Sequence, residues 1–174
     1  LATGNEHNES GHISEDPTNR VLQMDRRLGK LNHIREDLDA KGNQTHHGPE
    51  EAEYGIMTWG SHQDTVFEAV DRLNDAGHSV KALGVSDMMP YPEQEVSAFL
   101  ESVEECLVVE MNATGQFRGL TQKELGRFGP KLSSLLKYNG NPFEPAEIVE
   151  GFESSIDGEE LAGDNMKYVP AAGD

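Results

Sequence analysis

The sequence predicts an α/β domain: an open, mostly parallel sheet of about four to five strands in three layers, with helices on both faces, preceded by an N-terminal connecting helix. Three observations carry this. Short apolar runs alternate with segments of helical periodicity. The runs are nearly continuous, as in strands buried on both faces. Glycine or proline punctuates the junctions between them.

The first stretch, "EHNESGHISEDP" (residues 6–17), holds two histidines and four carboxylates. His7, His12, His46 and His47 with Glu6 and Glu9 form a metal site only if separate loops fold together, and none shows the i, i+4 helical pairing of a metalloprotease, so no metal is expected. Asp16 as N-cap, Pro17 at the first helical position and Gly42 as stop then bound a helix of about six turns. Its apolar positions Val21, Met24, Leu28, Leu31 and Leu38 form one narrow stripe, expected to pack against something. "NQTHHGPEEAE" lacks any apolar residue larger than alanine, and residues 43–53 read as a linker.

The compact domain is expected over residues 54–157. "YGIMTW" reads as a buried strand and "GSHQDTVFEAVDRLNDAG" as a turn and helix, with Ser61 as N-cap, Asp64 completing a capping box, Phe67, Val70 and Leu73 on one face and Gly77 as stop. "HSVKALGVS" is the next strand. "MMPYP" turns the chain into a helix opened by Pro92, with Val96, Phe99, Leu100 and Val103 inward, and "ECLVVEMN" follows as a third strand. A helix with Phe117, Leu120, Leu125 and Phe128 inward, a fourth strand "KLSSLLKYNG" and a last helix "PAEIVEGFESSI" complete the pattern. Residues 158–174 read as an acidic, mobile tail. With right-handed crossovers, ligands or partners should meet the carboxyl edge of the strands.

The 174 residues carry 32 acidic against 14 basic side chains, a formal charge of −18. Nucleic acid is therefore not an expected partner. Such a surface suits a salty cytoplasm, because at 1 M salt the screening length falls to about 3 Å. No window approaches the roughly 18 apolar residues of a membrane span, and a soluble, cytoplasmic protein is expected. The chain opens on Leu1 without a basic-then-apolar leader, so it is expected to be a fragment of a longer one. The single cysteine, Cys106, lies in an apolar run and reads as a buried thiol.

Two segments hold candidate site residues. Gly60 and Ser61 follow the first strand, where backbone N–H groups could hold an anion, although a tight turn explains them as well. Glu110, Asn112, Gly115 and Gln116 end the third strand, where a site and a helix cap are both open. The Asn112 and Asn43 glycosylation patterns are discounted, and no nucleophile elbow or catalytic triad stands out.

Five stretches in order resemble the C-terminal part of the alpha subunit of 2-oxoacid:ferredoxin oxidoreductases: "TGNEHNESGHISEDPTNR", "WGSHQDTVFEAVDRLNDAGHSV", "MMPYPEQEV", "VVEMNATGQF" and "LLKYNGNPFEPAEIVE". The resemblance implies the transketolase C-terminal fold and an enzyme that decarboxylates a 2-oxoacid, passes electrons to ferredoxin and gives the acyl group to coenzyme A. It implies thiamine diphosphate, magnesium and a 4Fe-4S cluster on the beta subunit, with the pyrimidine ring contacted upstream of Leu1. No catalytic, cofactor-binding or metal residue carries over. Gly60, Ser61, Glu110, Asn112, Gly115 and Gln116 are motif positions expected at subunit contacts, and Glu6 and His7 are expected to face the cofactor's neighbourhood. Ser86, Asp87, Met88, Met89 and Tyr91 depart from the family's proline turn, which leaves substrate preference open. The alternatives are a free-standing α/β ligand-binding module and the equivalent domain of a 2-oxoacid dehydrogenase or transketolase.

Overall fold

The structure is a computed structural model that describes residues 4–157 and 166–171. The chain forms two compact units, Leu1–Gly42 and Asn43–Asp174.

The first unit is a turn and a long helix, α1 (Pro17–Lys41). The Asp16 carboxylate accepts the Thr18 N–H at 3.0 Å, and Gly42 closes the helix with φ 60°. Before it, "EHNESGHISEDP" folds back on itself: Asn8 Oδ1 accepts the Ser10 and His12 N–H groups, and His7 bridges Ile13. The Glu6 carboxylate accepts from Arg20 at 2.5 Å and from Arg27, one α1 turn pair apart, and this pairing holds it below the usual carboxylate range. Hydrogen bonding, in which His7 Nδ1 meets the Asn8 carbonyl, organises this stretch. The expected stripe on α1 buries nothing fully: Val21 and Leu28 remain 60 % and 56 % exposed.

The second unit is a six-stranded sheet in the order β1-β3-β2-β4-β5-β6, from β1 (Thr45–His47), β2 (Tyr54–Trp59), β3 (Val80–Val85), β4 (Glu105–Glu110), β5 (Leu132–Lys137) and β6 (Met166–Val169). The four central strands are parallel and the two edge strands antiparallel. Helices α2 (Gln63–Asp75) and α5 (Pro145–Asp157) cover one face, around Val70, Leu73, Leu135, Ile148 and Phe152. Helices α3 (Glu93–Glu101) and α4 (Gln116–Leu125) cover the other, around Val96, Leu100, Val108, Phe117 and Leu132. The three-layer expectation holds, with two more strands than the apolar runs mark.

Both added strands lie in segments read as irregular. Residues 45–47 of the expected linker pair with β3, held from the side by His46 to Glu95 at 2.9 Å, His47 to Asp71 at 2.8 Å, and stacking of His47 on Phe67. Residues 166–169 of the expected mobile tail pair with β5; residues 158–165 and 172–174 of that segment lie outside the described residues. Edge strands need only backbone pairing and one packed face, so neither shows an apolar run.

Ser61 does not cap α2. Gly60, with φ 77°, leads into a 3-10 turn over Gly60–His62, which places Ser61 inside a helical turn rather than in the extended backbone that a cap requires, and no side chain caps the helix that follows. The helix ends as expected, with Gly77 at φ 99° donating to the Asn74 carbonyl. Phe128, expected inward on α4, lies beyond the helix end that Gly126 makes. Cys106 is buried in the α3–α4 core, where desolvation pushes its thiol up, as befits a packed rather than reactive sulfur.

A close helix–sheet approach is at Gly151 on α5, where an added Cβ would sit 2.5 Å from Leu135 Cδ2. Gly151→Ala is expected to destabilise by about 1 kcal/mol in a denaturant melt, overpacking of about 2 kcal/mol being partly offset by alanine's helix preference of about 1. A stabilised variant would mean that Leu135 has room to turn away.

Candidate functional site at the carboxyl edge of the sheet

Strands β2 and β4 are parallel neighbours, yet the helices that follow them, α2 and α4, lie on opposite faces. Their loops therefore part at the carboxyl edge, the crevice where open α/β sheets place ligands or partners. The loop after β2 holds Gly60 and Ser61, and the loop after β4 holds Asn112, Gly115 and the start of α4 at Gln116. His62 and Thr58 tie the two strands: His62 Nε2 and Thr58 Oγ1 each lie 3.2 Å from the Val109 carbonyl oxygen.

Glu110 is the structural centre of this edge. It is fully buried, and its carboxylate accepts the Phe117 N–H at 2.6 Å, the Arg118 N–H at 3.0 Å and the Asn112 side-chain amide at 2.7 Å. Asn112 Oδ1 in turn accepts the Thr114 and Gln116 N–H groups at 3.0 and 3.2 Å. Gly115, at φ 64°, makes the left-handed turn that aims these amides at the two side chains. The E-x-N-x-x-G-Q stretch therefore builds the N-terminus of α4 from a strand carboxylate, the helix cap that was one of the two readings open in the sequence.

Around this polar floor the edge is apolar. Met89 is 68 %, Met111 40 % and Tyr138 60 % exposed, each just beyond the end of a parallel strand or in the loop that follows it. Trp59, at the end of β2, is half-buried, and its indole N–H has no acceptor among the described residues. Tyr91 does not join this edge. It is buried in the core with its hydroxyl 2.7 Å from Thr121 Oγ1, so this departure from the family turn packs the interior. Sequence reasoning missed Met111, Tyr138 and His62; their signal was position alone, one to three residues beyond an apolar strand.

Glu6 and His7 belong to the first unit. One cysteine cannot supply the thiolates of an iron–sulfur cluster. Cys106 is the sole cysteine and is buried, and among the described residues no three of His, Cys, Asp and Glu converge.

The family model for the pyruvate:ferredoxin oxidoreductase core domain II matches residues 52–148. The chain belongs to this family. Two curated relatives are alpha subunits of 2-oxoacid:ferredoxin oxidoreductases. That of Aeropyrum pernix is 32 % identical over 151 residues, which is 86 % of this chain and 23 % of the relative. That of Sulfurisphaera tokodaii is 32 % identical over 158 residues, 90 % of this chain and 24 % of the relative. The solved 2-oxoglutarate:ferredoxin oxidoreductase of Magnetococcus marinus, with 2-oxoglutarate, coenzyme A and succinyl-CoA bound, superposes with a TM-score of 0.75 at 34 % identity over 88 % of this chain and 26 % of its own. The chain thus spans about a quarter of the length of the relatives it matches. No helix among the described residues is long and apolar enough to cross a membrane.

Proposed function

We propose that this chain is the C-terminal assembly domain of the alpha subunit of a thiamine diphosphate-dependent 2-oxoacid:ferredoxin oxidoreductase, cytoplasmic and adapted to high salt. The observation that carries this reading is the likeness to the 2-oxoglutarate enzyme at a TM-score of 0.75, the bound molecules of which are a 2-oxoacid, coenzyme A and an acyl-CoA. In this reading residues 1–42 connect the domain to a pyrimidine-binding domain upstream. The cofactor, magnesium and cluster lie on a beta subunit and supply the decarboxylation and electron transfer to ferredoxin, with 2-oxoglutarate or pyruvate as substrate. This domain contributes shape. The buried Glu110 cap fixes the α4 loop, and exposed Met89, Met111 and Tyr138 give the carboxyl edge an apolar surface for another subunit or domain of the enzyme.

Purification of the native protein at molar salt tests it. The polypeptide containing this chain is expected to bring down a smaller subunit with thiamine diphosphate and iron, and the complex to reduce ferredoxin with a 2-oxoacid and coenzyme A. Met111→Glu should weaken that association by about tenfold, because it sets a charge in an apolar contact. A clean monomer without thiamine diphosphate would favour the free-standing ligand-binding module and overturn the proposal.

A further inference from the structure

In this strongly acidic unit most cations are already engaged. Arg72, Lys123, Arg127 and Lys137 pair with carboxylates, and Lys81, Lys131 and Arg118 donate to backbone carbonyls. Arg118 and Lys167 form no ion pair among the described residues, and both line one cavity of 360 Å³ between α4 and the β5–β6 edge. Arg118 is anchored: Nη1 donates to the Val169 carbonyl at 3.3 Å and Nη2 to that of Pro170 at 3.0 Å, while Nε is buried without an acceptor among the described residues. Ser134, a hydroxyl in the interior of β5, is 1 % exposed and lines the same cavity, with no partner for its Oγ among the described residues.

A buried hydroxyl without a partner is unfavourable, and a ligand in a cavity beside it and two cations would give it an acceptor. The N-terminus of α4 is not what attracts that ligand, because Glu110 and Asn112 already take its free N–H groups. Glu110 has both oxygens engaged by the α4 N–H groups and Asn112, so it offsets the helix end, and the Arg118 guanidinium and Lys167 ammonium supply the positive charge along the cavity. Gly115 covers Ser134 without a side chain, and a Cβ there would stand 3.5 Å from its hydroxyl and 3.8 Å from Glu110 Oε1. Two cations and a hydroxyl donor suit a dianion better than a carboxylate.

We propose that this cavity binds the phosphate group of a small phosphomonoester, held by Arg118, Lys167 and the Ser134 hydroxyl. The proposal does not depend on the thiamine-enzyme reading.

Calorimetric titration of the intact protein at fixed ionic strength tests it, with glycerol 3-phosphate, inorganic phosphate and acetate as probes. Saturable binding is expected in the order glycerol 3-phosphate, phosphate, acetate. Lys167→Gln, at an exposed edge position, should weaken it about tenfold, and Ser134→Val, which puts a methyl where the donor stood, should weaken it at least as much. Arg118 is left intact because it also holds β6. Acetate binding as well as the phosphates would overturn the proposal, and so would inorganic phosphate binding without glycerol 3-phosphate. Variants that fold and titrate like the parent would do the same, and would leave an acidic partner side chain as the occupant of the cavity.

Discussion

Glu110→Ala is expected to cost roughly 3 kcal/mol, seen as a fall in melting temperature of about 10 °C. The carboxylate is fully buried and accepts two backbone N–H groups and one side-chain amide. Truncation leaves the Phe117 and Arg118 amides in the interior without acceptors, and hydrogen bonds to a charged group are worth about 1.5–3 kcal/mol each. It also removes the negative charge facing the positive end of α4. Glu110→Gln separates these effects. One amide oxygen can still accept, but the new NH2 group faces an N–H donor, so a loss of about 2 kcal/mol is expected. Because α4 carries Phe117 into the α3–α4 core, the loss should appear in the same cooperative unfolding transition and not as a separate fraying step. A melting temperature within 2 °C of the parent for Glu110→Ala would refute the capping role.

This carboxylate also marks the limit of what the sequence could say. The four central strands and their helices were legible because each buries a continuous apolar run or stripe: Val80 to Val85 on β3 is buried at every position, and Val66, Ala69, Val70 and Leu73 face inward from α2. The ends of α1 were legible because Asp16, Pro17 and Gly42 act locally. What could not be read depends on partners distant in sequence. Thr45–His47 is a strand only because β3 offers it an open edge and because Asp71 and Glu95 receive its histidines. Ser61 had the right spacing for a capping box, but the positive φ at Gly60 moved the helical turn one step earlier. Glu110 had the chemistry of both a site and a cap, and only the position of the Phe117 and Arg118 amides decides between them. Ser134 lies in a strand segment, "LSSLLK", where one of the two serines had to point inward, but nothing local says that the inward one lacks a partner.

The second large effect is expected at the carboxyl end of β5, one residue beyond the register partner of Glu110. Lys137 is 4 % exposed, and its ammonium donates to both Glu147 oxygens at 2.6 Å and to the Pro142 carbonyl at 2.8 Å. It thereby ties α5 and the Pro142–Phe143 loop to the sheet. Burial by itself would raise the Glu147 carboxyl, but the Lys137 ammonium and the Glu144 N–H outweigh it and hold the carboxyl below its ordinary 4.5. A carboxyl depressed in the folded state stabilises above its unfolded pKa, so this contribution is complete at neutral pH and fades as pH falls through 4.5 into more acid solution. Glu147→Gln should therefore flatten the acid limb of the stability curve. It should also cost about 3 kcal/mol at pH 7, because it strands a buried ammonium with neutral partners only. Lys137→Met should cost less, about 2 kcal/mol, since the Glu147 side chain is 23 % exposed and water can solvate the carboxylate left behind. The order of these two losses is the diagnostic result, because simple loss of an ion pair would make them equal. The double variant Lys137→Met with Glu147→Leu should recover most of the deficit, as expected when a buried charge pair is replaced by apolar side chains of similar size. A double variant as unstable as the sum of the singles would show that the two groups act independently, and that the loop is held by Lys137 alone.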